Sequence, residues 1–309
     1  MLNRFVSKLK MKQLIIYNHL IKFDKKVFIM KNITKLLFLF ISISVFSQGP
    51  WTQEKGKVYT QLSFTTIPTY NELFGDPDYT ISGEIADNTI QFYSEYGLSN
   101  KTTLLVNLPL KLITINGFQN PAIDCIGDCS QDYNKTSLGN IEIGLKHNFY
   151  NKTWLLSGQL SMEANTGSFD GNSGIRTGYD AFTFSPLFIA GRSFSKSYLQ
   201  TFIGSNIRTN NYSSNFKIGG EYGGKISKNI WLIGFLDISK SFKNGDIVLP
   251  ITNLATGLYV NDQEYGVLGI KAIGEFSDNF GVTASLPAAF FGNNVAKQLA
   301  LSFGVYKKF

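Results

Sequence analysis

The chain has 309 residues, with 29 Lys and Arg against 22 Asp and Glu, a formal net charge of +7. Residues 1–47 hold nine of the basic residues and a single acid, Asp24, which leaves 20 and 21 in 48–309, a net of about −1. Overall charge therefore gives no support to a nucleic-acid partner, and two His residues leave too few ligands for a zinc site and argue against His-based nucleophilic catalysis.

In chain order, residues 1–29 are basic without a clean apolar core and read as a non-native upstream extension, or alternatively a cytoplasmic stub. Residues 30–47, MKNITKLLFLFISISVFS, read as a signal peptide. Lys31 and Lys35 precede an apolar run too short to span a bilayer, and cleavage after Ser47 would leave Gln48 first. The remaining 48–309 is rich in Gly, Phe, Tyr, Ser and Asn, which suits strands joined by polar loops.

From Lys57 the chain breaks into twelve alternating segments: 57–69, 88–98, 101–115, 138–149, 153–165, 179–194, 197–208, 214–226, 230–241, 263–276, 280–292 and 295–309. Short polar connections such as Ser99-Asn100 and Ser195-Lys196 alternate with mostly longer ones, 70–87, 116–137, 166–178, 209–213 and 242–262, and with a tight Asn293-Asn294. A soluble sandwich has no reason to sort its loops by parity. The expected fold is all-β: a transmembrane antiparallel up-and-down β-barrel of about twelve strands in the cell outer membrane, with lipid as its surroundings.

The strand faces agree. In 138–149, Ile141, Ile143, Leu145 and Phe149 oppose Glu142, Gly144, Lys146 and Asn148. Segment 197–208 offers two nearly equal choices of face. Aromatics near the short turns, including Tyr96, Phe149, Tyr150, Trp154, Tyr198, Trp231, Phe280, Tyr306 and Phe309, suggest an interfacial girdle. Charges that parity sends inward include Glu95, Glu142, Lys146, Glu163, Arg192, Lys217, Glu221, Asp237, Lys271 and Glu275, the candidate lumen lining. They can line a solute path or form a salt-bridged filling. Ile233, Phe235, Val267 and Ile273 on the same faces suggest a partly apolar interior.

Cys125 and Cys129 in CIGDC are the candidate disulfide, because an exported chain meets an oxidising compartment. His147 is expected on the lipid-facing side next to a short turn, where no catalytic partner is in sight. Loop 166–178, with Asp170, could hold Ca²⁺ or serve as a flexible connection. No catalytic residue, metal site or cofactor is assigned.

Three stretches carry a family resemblance: GPWTQEKGKVYTQLSF (Gly49–Phe64), FYSEYGLSNKTTLLVNLPL (Phe92–Leu110) and ANTGSFDGNSGIRTGYDAFTFSPLFIAG (Ala164–Gly191). They resemble the first strand, the second and third strands, and a Gly-rich segment of the outer-membrane barrels of the MetA-pathway of phenol degradation family. The leader ending VFSQ resembles those of Bacteroidota. The resemblance implies a channel or transporter for a small, hydrophobic or aromatic solute. By resemblance to other outer-membrane barrels, Phe309 is the assembly signal and the barrel-assembly machinery a partner. The other readings are a closed structural or surface-interaction barrel without transport, and an outer-membrane hydrolase.

Overall fold

The computed structural model describes residues 49–124 and 126–309. The expected extension at 1–29, the signal peptide at 30–47 and Cys125 of the expected disulfide lie outside the described residues.

The strands in order are β1 (Val58–Phe74), β2 (Tyr79–Ser99), β3 (Thr102–Phe118), β4 (Gln131–Leu138), β5 (Ile141–Asn151), β6 (Leu155–Ala164), β7 (Thr183–Ser193), β8 (Ser197–Arg208), β9 (Asn215–Ser227), β10 (Ile230–Ser241), β11 (Glu264–Ser277), β12 (Phe280–Asn293), β13 (Val295–Ala296) and β14 (Leu301–Lys308). Among the described residues one helix, α1 (Ile251–Thr256), lies between β10 and β11. Each strand pairs antiparallel with its neighbour, and β14 pairs with β1, so the sheet closes. β4 and β5 both pair with β3 and form one stave interrupted at Gly139-Asn140, while β13 is a two-residue patch beside β1. The result is a closed antiparallel barrel of twelve staves.

The alternation decides which way the side chains face. Leu62, Phe64, Ile90, Phe92, Ile143, Leu145, Leu160, Phe188, Leu232, Leu268, Ile270, Phe303 and Val305 are all exposed on the outside. Water would make so continuous an apolar coat costly, whereas hydrocarbon does not. The inward faces carry Glu95, Asn107, Lys146, Gln159, Gln200, Glu221, Lys271 and Ser302, all buried. Segment 197–208 is settled here. Gln200 and Phe202 point inward, and Leu199, Ile203 and Ile207 outward.

Several expected boundaries move. Most of 70–87 and part of 116–137, read as loops, are strand: β1, β2, β3 and β4 run beyond the other staves. Polar and Gly-containing sequence there hides the period, and pairing between long neighbours supplies the order. The closing segment 295–309 is not one strand. Its ladder with β1 runs from Tyr59↔Lys308 to Thr66↔Leu301, and resumes only at Leu73↔Ala296. Between these, Leu299 bridges to Ala288 and Ala300 N–H donates to Pro287 O, so the chain leans on β12 instead. Pro68 in this stretch of β1 has no N–H to offer a partner.

Candidate functional site

The site is the barrel interior, closed at each end by a folded segment. At the short-turn end, residues 49–57 cross the mouth from inside. Gly56 N–H donates to Gly97 O and Gly97 N–H to Lys57 O, at 2.8 and 2.9 Å. Gln53 N–H donates to Thr103 Oγ1 at 2.8 Å, and Ser157 Oγ, two staves further round, donates to Pro50 O at 2.6 Å. Gly97 must be glycine because a Cβ there would stand 1.9 Å from Glu54 O.

This segment rests on two buried ion pairs. Lys146 Nζ donates to Glu95 at 3.0 Å, and Lys271 Nζ to Glu221 at 2.7 Å. Gln53 Nε2 also reaches Glu95, at 2.6 Å. Tyr198 donates its hydroxyl to Glu221 at 2.6 Å and meets Trp51 edge-on at 5.6 Å. Tyr198, Trp231 and Tyr306, assigned above to the outer girdle, belong to this interior layer. Tyr198 shares the parity of Gln200 and Phe202, Trp231 packs 5.8 Å from Tyr198, and Tyr306 is 5% exposed. Tyr96, Phe149, Tyr150, Trp154, Phe280 and Phe309 are exposed, as a girdle requires.

At the long-loop end, residues 165–182 and 242–263 fold over the mouth. Arg176 Nε donates to Asn253 Oδ1 of α1 at 2.8 Å, and Thr256 Oγ1 donates to Gly174 O at 3.0 Å. Gly174 has φ 67°, and a Cβ there would lie 2.1 Å from Thr252 O, so both conformation and space demand glycine. Leu73, Ile85, Ile113, Ile115, Phe118, Ile175 and Leu258 form an apolar core beneath the cap. The projecting parts of β1–β3 therefore wall a small packed domain. In loop 166–178, Asp170 Oδ1 accepts the N–H groups of Asn172 and Ser173 at 2.9 and 3.1 Å. The bond from Ser173 contributes most to holding its carboxyl below the usual range.

Between the closures lie two cavities of about 640 and 250 Å³ that share Asn107, Glu163, Asn206, Lys217 and Tyr265. The outer, larger one combines the Asp87–Lys111 pair (2.9 Å) and Arg208 with Leu73, Leu258, Val295 and Pro287. Two further residues on its wall, Gln298 and Ala300, come from the seam where the β1 ladder is interrupted, and Ala296 from the point where it resumes.

Glu142, Glu163 and Asp237 line the inner cavity, as their parity predicts, and Glu221 does so from its ion pair. Lys146 and Glu95 are drawn together below it, and Lys271 joins Glu221. Glu275 lies at the turn end instead, about a third exposed and paired with Lys225 at 2.7 Å. Sequence reading missed Asp87, because it lay in a segment taken as a loop. It also missed Lys111, Arg208 and Gln53. Lys111 and Arg208 had the right parity to be found, whereas nothing local marks 49–57 as lying inside the barrel.

His147 is exposed on the outer face, with Thr102 Oγ1 2.9 Å from its Nδ1. Among the described residues no group of three or more His, Cys, Asp or Glu is placed to hold a metal ion.

No protein-family model matches the sequence, and no curated protein matches it. Among solved structures, the chain is similar to the COG4313 outer membrane channel from Pseudomonas putida F1. The TM-score is 0.63 at 12% identity, over 86% of this chain and 100% of that one. It is also similar to the translocator domain of the autotransporter NalP from Neisseria meningitidis, with TM-score 0.50 and 13% identity over 83% and 90%. At these identities the likeness is one of fold, and the fold is the closed antiparallel barrel of twelve staves that the ladders build here.

Proposed function

We propose that the protein is a passive conduit of the cell outer membrane for small solutes. The observation that carries this reading is the interior: adjoining cavities of mixed polar and apolar lining inside a barrel with an apolar coat. Barrels of this size are narrower than wide aqueous porins, and the folded segments at both ends restrict passage to small molecules. The outer-membrane channel among the structural neighbours supports the placement. Export through a cleaved leader at 30–47, no enzymatic role, and kinship with the MetA-pathway family of Bacteroidota complete the proposal. Phe309 as assembly signal for the barrel-assembly machinery and the Cys125–Cys129 disulfide belong to it as well.

The test is flux. Chain 48–309, folded and reconstituted into liposomes, should swell them in small solutes and give conductance in planar bilayers. A folded protein that does neither, with or without residues 49–55, would leave the closed structural barrel as the better reading.

A further inference from the structure

Most inward carboxylates of this barrel are neutralised within the protein. Asp87, Glu95, Glu221 and Glu275 each have a lysine at 2.7–3.0 Å. The inner cavity departs from that rule. Glu142, Glu163 and Asp237 line it and form no ion pair among the described residues. Lys217 lines the same cavity and forms none either, and its Nζ lies 5.9 Å from the centre of the Phe202 ring. Unlike charges thus border one small space without meeting across it.

The register makes the separation a built feature. Asn107, Glu142, Glu163, Thr183 and Arg208 stand directly opposite one another, strand by strand, across β3, β5, β6, β7 and β8. Two carboxylates are adjacent in that row, a placement that is unfavourable unless a cation lies between or beside them. Asn107 Nδ2 reaches Glu142 only at 3.5 Å. The cationic end of the row is Arg208, whose Nε has no hydrogen-bond partner. Lys217 stands outside the row, on β9 opposite Gly204, nearer the short-turn end than Arg208. One further acceptor of the lining, Asp237 Oδ1, is unpartnered. Charges withdrawn from bulk water require close partners, and a solute in the cavity supplies the direct contacts that these side chains do not make with one another.

Resting on the conduit reading, we infer that the inner cavity is a recognition site for small zwitterionic solutes. Their ammonium lies against Glu142 and Glu163 and their carboxylate against Lys217, with Arg208 at the mouth toward the outer cavity. A neutral solute leaves both walls unmatched, and a solute of single charge leaves one.

The experiment compares liposome swelling in serine, serinamide, N-acetylserine and N-acetylserinamide: zwitterion, cation, anion and neutral molecule of similar size. Variants are first shown to be folded by heat-modifiable gel mobility. Serine should enter faster than N-acetylserinamide. That preference should be lost in the Glu142→Gln/Glu163→Gln double variant and in Lys217→Gln, and kept in Lys217→Arg. Equal rates for serine and N-acetylserinamide in the unaltered protein would overturn the inference. So would a preference for serinamide over serine that survives Lys217→Gln, the mark of a simple cation filter. If no solute moves, the conduit reading fails by itself. Saturation-transfer NMR of serine with the detergent-solubilised barrel then decides the site: binding about tenfold weaker in the variants upholds it, and no binding overturns it.

Discussion

Lys146 shows how this interior handles charge. It is 2% exposed, on a strand whose other face meets an apolar exterior, and its ammonium is held by Glu95. Removing one partner of such a pair leaves a buried charge without compensation, which costs about 3–5 kcal/mol. Lys146→Met should therefore destabilise the barrel markedly, seen as a lower temperature for conversion to the slow-migrating unfolded band. Adding Glu95→Gln should recover much of the loss, because a neutral amide is cheaper to bury. If Lys146→Met is silent, the pair is wetter than its burial indicates. Gly97 is the second informative residue. Any side chain there meets the backbone of Glu54, so Gly97→Val should push the crossing segment aside and raise single-channel conductance with the barrel intact. The carboxylates were legible as inward-facing from parity alone. Which of them have a lysine was not, because Glu95 and Lys146 meet across an intervening strand, and Glu221 and Lys271 do the same.

At the scale of elements, two segments behave differently from what alternation suggests. Residues 49–57 have no strand or helix, yet they span the mouth through hydrogen bonds to β2, β3 and β6. Deleting 49–55 should speed swelling and relax the size limit, and unchanged rates would show that the restriction lies elsewhere. The closing segment is the other case. β14 pairs with β1 through eight residues and ends with Phe309 N–H donating to Val58 O at 2.8 Å. Deleting Phe309 is expected to lower the amount of folded protein in the membrane fraction, and normal levels would dismiss its role as an assembly signal. Residues 297–300 alternate well enough to read as strand, but Lys297 N–H still meets Glu72 O of β1, whereas Leu299 and Ala300 meet β12, and then only briefly. Period-two sequence records which face a residue prefers; it does not record whether a neighbour is in reach to complete the ladder.

For the whole molecule, the apolar exterior and the closed ladder make a joint prediction. The folded protein should stay in the membrane after carbonate extraction and run faster unheated than heated on a gel. A carbonate-soluble protein with no shift would contradict the barrel in a bilayer. The same closure explains why the cavities persist: a ring of hydrogen-bonded staves leaves no free edge to collapse inward, and the end segments are tied to the walls by bonds such as Ser157 Oγ to Pro50 O and Thr177 Oγ1 to Leu138 O.

The amino-acid sequence by itself determined the strand period, the parity of turns and loops and the apolar and polar faces, and so the barrel. These are local quantities, written into residues two apart or into the length of a connection. Only the tertiary structure decided what fills the barrel. The crossing of 49–57, the packing of α1 against Arg176 and Gly174, and the choice of which charges pair all depend on residues about 40 to 100 positions apart. Closing the ring brings such residues to one level of the lumen, and no local pattern can announce them.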